Sequence, residues 1–254
     1  MISEDPQVLV VRSAARRRMA DYARVLGGEL HIVALATAAL PGALQEGNLF
    51  LYGAAGKSGM TRRYQLYRIA RKLLMRKHFD VITVQSPGEI GMLALFLSRR
   101  YRVPLQVQVH TDFMSRYYRR ASARNRIRFF LAMRVLPRAQ CIRAVSERIR
   151  RALVEDLGIA PEKISVLPIM TDVLSYQSVG ASAKDIARFE KYSFKMVAAG
   201  RFFDGEKNFS MLIEMMREFV KIEPKALLVI VGDGPDKKNY ELRITNYELD
   251  KSVL

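Results

Sequence analysis

The sequence predicts an α/β fold built on parallel sheets, and three observations predict it. Short apolar runs alternate with helix-length amphipathic stretches almost from end to end. Repeated strand–helix–strand units force the strands parallel, with helices on both faces. Two of the runs, Met196 to Ala199 and Ala226 to Val231, close in glycine turns, Gly200-Arg201 and Gly232-Asp233-Gly234-Pro235, which is the order of a nucleotide-binding layer. The pattern breaks once, over about residues 174–194, a small and polar stretch. We therefore expect a complete Rossmann-like unit over 1–173, a linker over 174–194, and the first two strand–helix units of a second Rossmann-like domain over 195–254.

The elements follow in order. Val8 to Val11 is expected as the first strand, and an Arg-rich helix covers Ala14 to Leu26. Leu30 to Leu35 and Leu49 to Tyr52 are the next strands. Thr61 to Lys77 carries Tyr64, Leu66, Tyr67, Ile69, Ala70, Leu73 and Leu74 at close to a 3.6 period and predicts a helix. Asp80 to Gln85 is a strand, Pro87-Gly88 a turn and Glu89 to Arg100 a helix. Leu105 to His110 is a strand, followed by one long helix over Ser115 to Leu136. Cys141 to Val145 is a strand, Glu147 to Leu157 a helix capped by Ser146 and ended by Gly158, and Lys163 to Leu167 a strand.

At 254 residues, half of them apolar, the chain folds a sizeable core. No apolar run reaches the ~20 residues that span a bilayer, and the N-terminal M-I-S-E-D-P shows no signal-peptide pattern. The single cysteine, Cys141, excludes an internal disulfide and fits a reducing cytoplasm; it is expected as a small buried residue. Lys and Arg number 42 against 25 acids, for a net charge of +17. Arg99 to Arg151 holds fifteen Arg, no Lys and two acids, so +13 sits in this window. Such a patch implies an anionic partner. The arginines fall at polar positions of amphipathic segments, with no zinc spacing and no RNA-binding aromatic strand, so a membrane surface or a phosphorylated ligand fits better than nucleic acid. A merely solvated face is the plain alternative.

Gly200-Arg201 with Lys207 is the leading candidate site. Two cations where a strand meets a helix N-terminus suit the diphosphate of a sugar nucleotide; ordinary surface charges are the alternative. Gly232, Asp233 and Gly234 fit either a purely structural tight turn, with Pro235 opening a helix, or a loop under a nucleotide. His110 ends its strand, where open parallel sheets hold ligands, and could bond a sugar hydroxyl or steady a developing charge. Gly53 to Ser58, G-A-A-G-K-S, is a near phosphate loop, but Leu51 stands where the first glycine belongs, which argues against an NTPase. The carboxylate pairs Glu147/Glu155 and Glu206/Glu214 sit on expected helices as solvated charges.

Together these residues resemble the retaining, GT-B-type glycosyltransferases of the group 1 (family 4) class. The resemblance rests on Gly200-Arg201, Glu206-Lys207-Asn208 and Gly232-Asp233-Gly234-Pro235, and upstream on V-S-E-R-I-R-R-A-L and I-S-V-L-P-I-M-T-D. It implies that Arg201 and Lys207 bind the donor diphosphate and that His110 contacts the donor sugar as the catalytic residue of the N-terminal, acceptor-side domain. It also implies a nucleotide-sugar donor and no metal; no cofactor is expected, and the acceptor is left open, a lipid-linked one being the candidate that the basic Arg99 to Arg151 region suggests. A cytoplasmic enzyme held on the inner membrane face through Arg99 to Arg151, in polysaccharide or glycolipid synthesis, is the expectation; a non-catalytic fragment and a nucleic-acid-binding protein are the rivals. The chain departs from the pattern at Pro168-Ile169-Met170-Thr171-Asp172, where the family has P-N-G-V-D, and at Arg12-Ser13-Ala14-Ala15-Arg16-Arg17, in place of a glycine-rich acceptor loop. The E-x7-E motif would lie beyond Leu254, so the chain is expected to be a truncated enzyme.

Overall fold

The computed structural model describes residues 1–37, 43–169, 180 and 183–254, the last from the backbone alone at 183–185. The chain divides into two compact units, Met1–Met170 and Thr171–Leu254. Of the expected linker, residues 174–179, 181 and 182 lie outside the described residues, as do 170–172 of the altered turn. The remainder of the expected linker holds a helix, Ala183–Glu190, a stretch rich in good helix formers.

In the first unit the strands are β1 (Ile2–Ser3), β2 (Leu30–Leu35), β3 (Leu44–Glu46), β4 (Leu49–Ala54), β5 (Ile82–Val84), β6 (Leu105–Val109), β7 (Cys141–Ala144) and β8 (Ile164–Val166). Its helices are α1 (Ala14–Leu26), α2 (Gly59–Arg76), α3 (Glu89–Tyr101), α4 (Arg116–Ala121), α5 (Ala123–Val135) and α6 (Glu147–Glu155). The strands form one sheet in the order β3-β4-β2-β1-β5-β6-β7-β8. Every pair is parallel except β3–β4, a hairpin with Leu44 opposite Leu51. Ile2 of β1 pairs with Val33 on one side and Val84 on the other, so the winding reverses between β1 and β5. That reversal opens the ligand crevice of a doubly wound sheet.

Three expectations are corrected. Val8 to Val11 is not a strand: Pro6 to Leu9 is a single 3-10 turn, because Asp5 caps it through the Gln7 amide and Pro6 sets its first φ. The actual first strand is Ile2–Ser3, too short to show a pattern. The long helix over Ser115 to Leu136 breaks at Ser122, which is extended (φ −164°, ψ 159°) and caps α5 by accepting from the Asn125 amide. Cys141 is exposed rather than buried. It lies two residues from Arg143 on β7, and strand alternation puts both on the polar sheet face.

Burial separates the two sheet faces. Val33, Ala54, Val84, Val107 and Ile142 join a core with Leu66, Leu97, Leu136 and Leu153 from the helices. Ile32, Ala34, Leu49 and Leu51 face the opposite way, onto Ala15, Met19 and Ala23 of α1.

The second unit pairs β9 (Phe194–Ala199) with β10 (Ala226–Val231) in parallel register, Phe194 opposite Ala226 through Ala199 opposite Val231. Numbering Ala183–Glu190 as α7, its later helices are α8 (Asp204–Lys207), α9 (Phe209–Ile222) and α10 (Lys237–Asn246). Phe209, Ile213 and Met216 of α9 and Tyr240 of α10 pack on Leu228. Val253 begins a further parallel bridge beside Leu228.

Leu97 is fully buried on α3. Leu97→Ala is expected to cost roughly 2–5 kcal/mol, measured as a lower urea midpoint at unchanged slope.

Candidate functional site

Two loops interlock at the C-terminal ends of β9 and β10. The Gly200 amide donates to Val231 O (2.9 Å), the Phe202 amide to Asp233 O (2.9 Å), and the Asp236 amide back to Phe202 O (3.1 Å). This lattice explains the glycines. A Cβ on Gly232 would stand 1.9 Å from Gly200 O, and one on Gly234 would stand 2.4 Å from Phe202 O. Lys207 lays its side chain along Gly200, where an added Cβ would meet Lys207 Cε at 3.4 Å. Arg201 and Lys207 are both exposed, and neither has an acidic partner among the described residues. The six predicted residues, Gly200, Arg201, Lys207, Gly232, Asp233 and Gly234, are therefore gathered at one sheet edge.

Asp204 locks this edge, and sequence reasoning missed it. Its carboxylate accepts from the Ser210 amide (2.9 Å) and the Tyr240 hydroxyl (3.1 Å), and Asp236 Oδ2 accepts from the Asp204 amide (2.8 Å). Burial pushes the Asp204 carboxyl up, but the Ser210 and Tyr240 bonds outweigh it and hold the group below its ordinary value. Burial and the same carboxylate raise Tyr240 to about 12. An open cavity of about 550 Å³ beside Asp204, Tyr240 and Arg243 has neither Arg201 nor Lys207 on its wall; it belongs to the lock rather than to the cation pair.

His110 lies in the first unit, at the end of β6, and is not part of that cluster. It heads a polar ladder on the sheet face. His110 Nε2 donates to Gln108 Oε1 (3.1 Å), Gln108 Nε2 to Thr83 Oγ1 (3.2 Å), and Thr83 Oγ1 to Gln106 Oε1 (2.8 Å). The ladder fixes the tautomer and leaves Nδ1 as an acceptor. Desolvation, with the guanidiniums of Arg143 and Arg18 nearby, holds the imidazole below its ordinary value of 6.5, so the ring is neutral at neutral pH. His110 opens on a groove of about 720 Å³ that runs past Gln85 and Ser86 to the apolar edge of α1 at Tyr22 and Val25.

Seven of the fifteen arginines of the Arg99–Arg151 window lie on α4 and α5. Arg116, Arg119, Arg120 and Arg126 surround Phe129 and Phe130. Arg119 stands over the Phe129 ring at 4.9 Å, and Tyr117 (81%), Ile127 (58%) and Phe130 (66%) are exposed. Among the described residues, no three His, Cys, Asp or Glu side chains come together as a metal cluster, and no helix is long and apolar enough to cross a membrane.

Two Rossmann-like units, the second carrying a cation pair and glycine turn at its strand ends, define the class as the GT-B glycosyltransferase architecture. The chain belongs to Glycosyltransferase Family 4: residues 15–173 match that family and residues 182–254 match Glycosyl transferases group 1. Among curated proteins it is 23% identical over 202 residues to the alpha-monoglucosyldiacylglycerol synthase of Acholeplasma laidlawii, covering 73% of this chain and 49% of that protein. The protein of the same name from Streptococcus pneumoniae is 22% identical, covering 76% and 46%. The chain thus spans about half the length of these relatives. Among solved structures, the Anabaena protein Alr3699/HepE in complex with UDP has a TM-score of 0.62 at 17% identity, covering 99% of this chain and 66% of that one. The lipopolysaccharide outer core galactosyltransferase WaaB has 0.63 at 12%, covering 100% and 66%. These likenesses support the fold.

Two outcomes are expected. Gly232→Ala forces the two loops apart and destabilises the second unit by at least ~1–3 kcal/mol, read as earlier loss of amide protection in β9 and β10. In an NMR titration His110 has its midpoint below 6.5, and Arg143→Gln moves that midpoint upward.

Proposed function

We propose that this chain is part of a glycosyltransferase that moves a sugar from a nucleotide-sugar donor to an acceptor hydroxyl. The observation that carries the reading is that Arg201 and Lys207, both exposed and without an acidic partner among the described residues, follow the end of β9, with Lys207 laid along Gly200 beside the Gly232–Gly234 loop. Transfer breaks the bond between the anomeric carbon and the diphosphate and forms one to the acceptor oxygen. Negative charge grows on the leaving diphosphate, and two cations above a rigid backbone stabilise it there. No resident metal or cofactor is needed for that role, and the family resemblance supports retention at the anomeric carbon. His110 is assigned to the transferred sugar, with its neutral Nδ1 as the available acceptor.

The curated relatives are synthases of a glucosyl lipid by name, which supports glycolipid or envelope polysaccharide synthesis with a lipid-linked acceptor. The exposed aromatic and aliphatic side chains among the arginines of α4 and α5 support peripheral attachment to an anionic membrane, on the cytoplasmic face.

Binding is the direct test for a chain of this length. Calorimetric titration is expected to show UDP, GDP or ADP binding far more tightly than the free nucleoside. Arg201→Ala then weakens it by roughly 1.5–3 kcal/mol, or about 10- to 150-fold. Equal affinity for nucleoside and diphosphate would remove the donor reading. In co-sedimentation, phosphatidylglycerol vesicles are expected to retain the protein and phosphatidylcholine vesicles to release it. Phe130→Asp lowers retention; the same retention on both lipids would sink the membrane assignment.

A further inference from the structure

The near phosphate loop at Gly53 to Ser58 has a structural counterpart that the donor site leaves unused. β4 ends at Ala54, a tight turn follows, and Ser58 caps the 18-residue α2 through a reciprocal bond pattern with Thr61. Gly56 is held by the turn: a Cβ there would sit 2.5 Å from Thr61 Oγ1 and 2.8 Å from the Arg62 amide. Beside the start of α2, at the C-terminal edge of the sheet, lies an open pocket of about 480 Å³. Its walls carry four guanidiniums, Arg62 and Arg63 of α2 with Arg124 and Arg128 of α5, and two carboxylates, Glu4 and Glu89.

The charges do not balance. Glu89 alone accepts from Arg128 Nε (2.9 Å), Arg124 Nε (3.3 Å) and Arg63 Nη2 (3.4 Å), and Glu4 lies 3.9 Å from Arg128. Burial pushes the Glu89 carboxyl up, but its own backbone amide and the surrounding arginines outweigh it and keep it ionised. Two positive charges remain. Arg62 has no acidic partner among the described residues, and the Nε atoms of Arg62 and Arg63 are buried without an acceptor. Buried donors without acceptors are costly in a folded chain. A bound anion would offset the excess charge and give the Arg62 guanidinium the partner it lacks.

We propose that this pocket binds a phosphate group carried by the acceptor, an inference that rests on the first unit being the acceptor side of a transferase. The guanidinium fork matches phosphate geometry, and a phosphate monoester carries about −1.5 to −2 at neutral pH, close to the unmatched charge. The helix N-terminus adds to the attraction without being its basis. The phosphate belongs either to a lipid headgroup or to a soluble sugar or polyol phosphate, which share this chemistry. An NTP is disfavoured, since the loop lacks the first glycine and its place is Leu51.

The test is a calorimetric titration of the full chain with inorganic phosphate at ionic strength fixed by chloride. The wild type is expected to saturate, Arg62→Gln to bind at least about tenfold more weakly, and Arg76→Gln, an exposed arginine at the far end of α2 outside the pocket, to match the wild type. Arg62→Gln removes no side-chain hydrogen bond or ion pair seen among the described residues, so it should fold normally, and circular dichroism checks this. Glu89→Gln removes the competing carboxylate, and tighter phosphate binding is the expected result. Absence of saturable binding, or equal weakening by Arg62→Gln and Arg76→Gln, overturns the pocket. Glycerol 3-phosphate and phosphatidylglycerol vesicles then separate the sources. Loss of vesicle binding in Arg62→Gln but not in Arg76→Gln assigns a lipid headgroup, and loss of glycerol 3-phosphate binding alone assigns a soluble ester. UDP binding that fails while phosphate binding through Arg62 persists removes the donor reading and leaves the pocket. The reverse result removes the pocket alone.

Discussion

In a parallel sheet every crossover must carry the chain back to the end where the previous strand began, so all strands finish at the same edge. The turns that follow them, with their glycines, caps and charges, are thereby collected on one side of each unit. Here that geometry brings Gly200, Arg201 and Lys207 beside the loop after β10, although about thirty residues of chain separate the two turns. In the first unit it brings Glu4, Ser58 and Glu89 to the ends of β1, β4 and β5. The single antiparallel strand, β3, sits at the sheet edge, where it leaves this ordering intact.

Rigidity at the second unit's edge comes from backbone contact rather than from side-chain packing alone. With Gly200 O lying where a Cβ of Gly232 would be, the loops can approach only because neither carries a side chain there. Asp204 then ties the start of its short helix to the start of α9 and to Tyr240. A carboxylate that accepts both bonds is held ionised, and the phenol that donates one is held protonated. The lock is thus closed at neutral pH. Flexible cations gain more for an anion when the backbone under them does not have to reorganise.

The excess of arginine serves different environments. On α4 and α5 it surrounds exposed aromatic rings, an arrangement suited to an interface with both apolar and anionic layers. Around Glu89 it converges into a pocket, where one carboxylate organises three guanidiniums at fixed positions. Arg143 takes a further part: it bonds Leu167 O and Pro168 O, and its charge helps keep His110 neutral.

The alternation of apolar runs with 3.6-period helices fixed the parallel α/β class, and the turns at Gly200 and Gly232 marked the second unit's strand ends, because these signals are local and repeat with the period of the backbone. Failures came where local signals were short or overruled. Ile2–Ser3 is a strand only because β2 and β5 flank it. Val8 looked like strand but fills the core under α1 from a Pro-initiated turn. Ser122 looked like helix interior but caps a second helix, and Cys141 looked buried because sequence does not say which sheet face stays open. The Asp204–Tyr240 bond, the Glu89 arginines and the cross-strand rungs below His110 join residues 23 or more positions apart, and only tertiary structure could bring them together. By itself the sequence determined which chemistry lies at which strand end; the fold decided which of those groups meet, since distance in space is set by sheet order rather than by position along the chain.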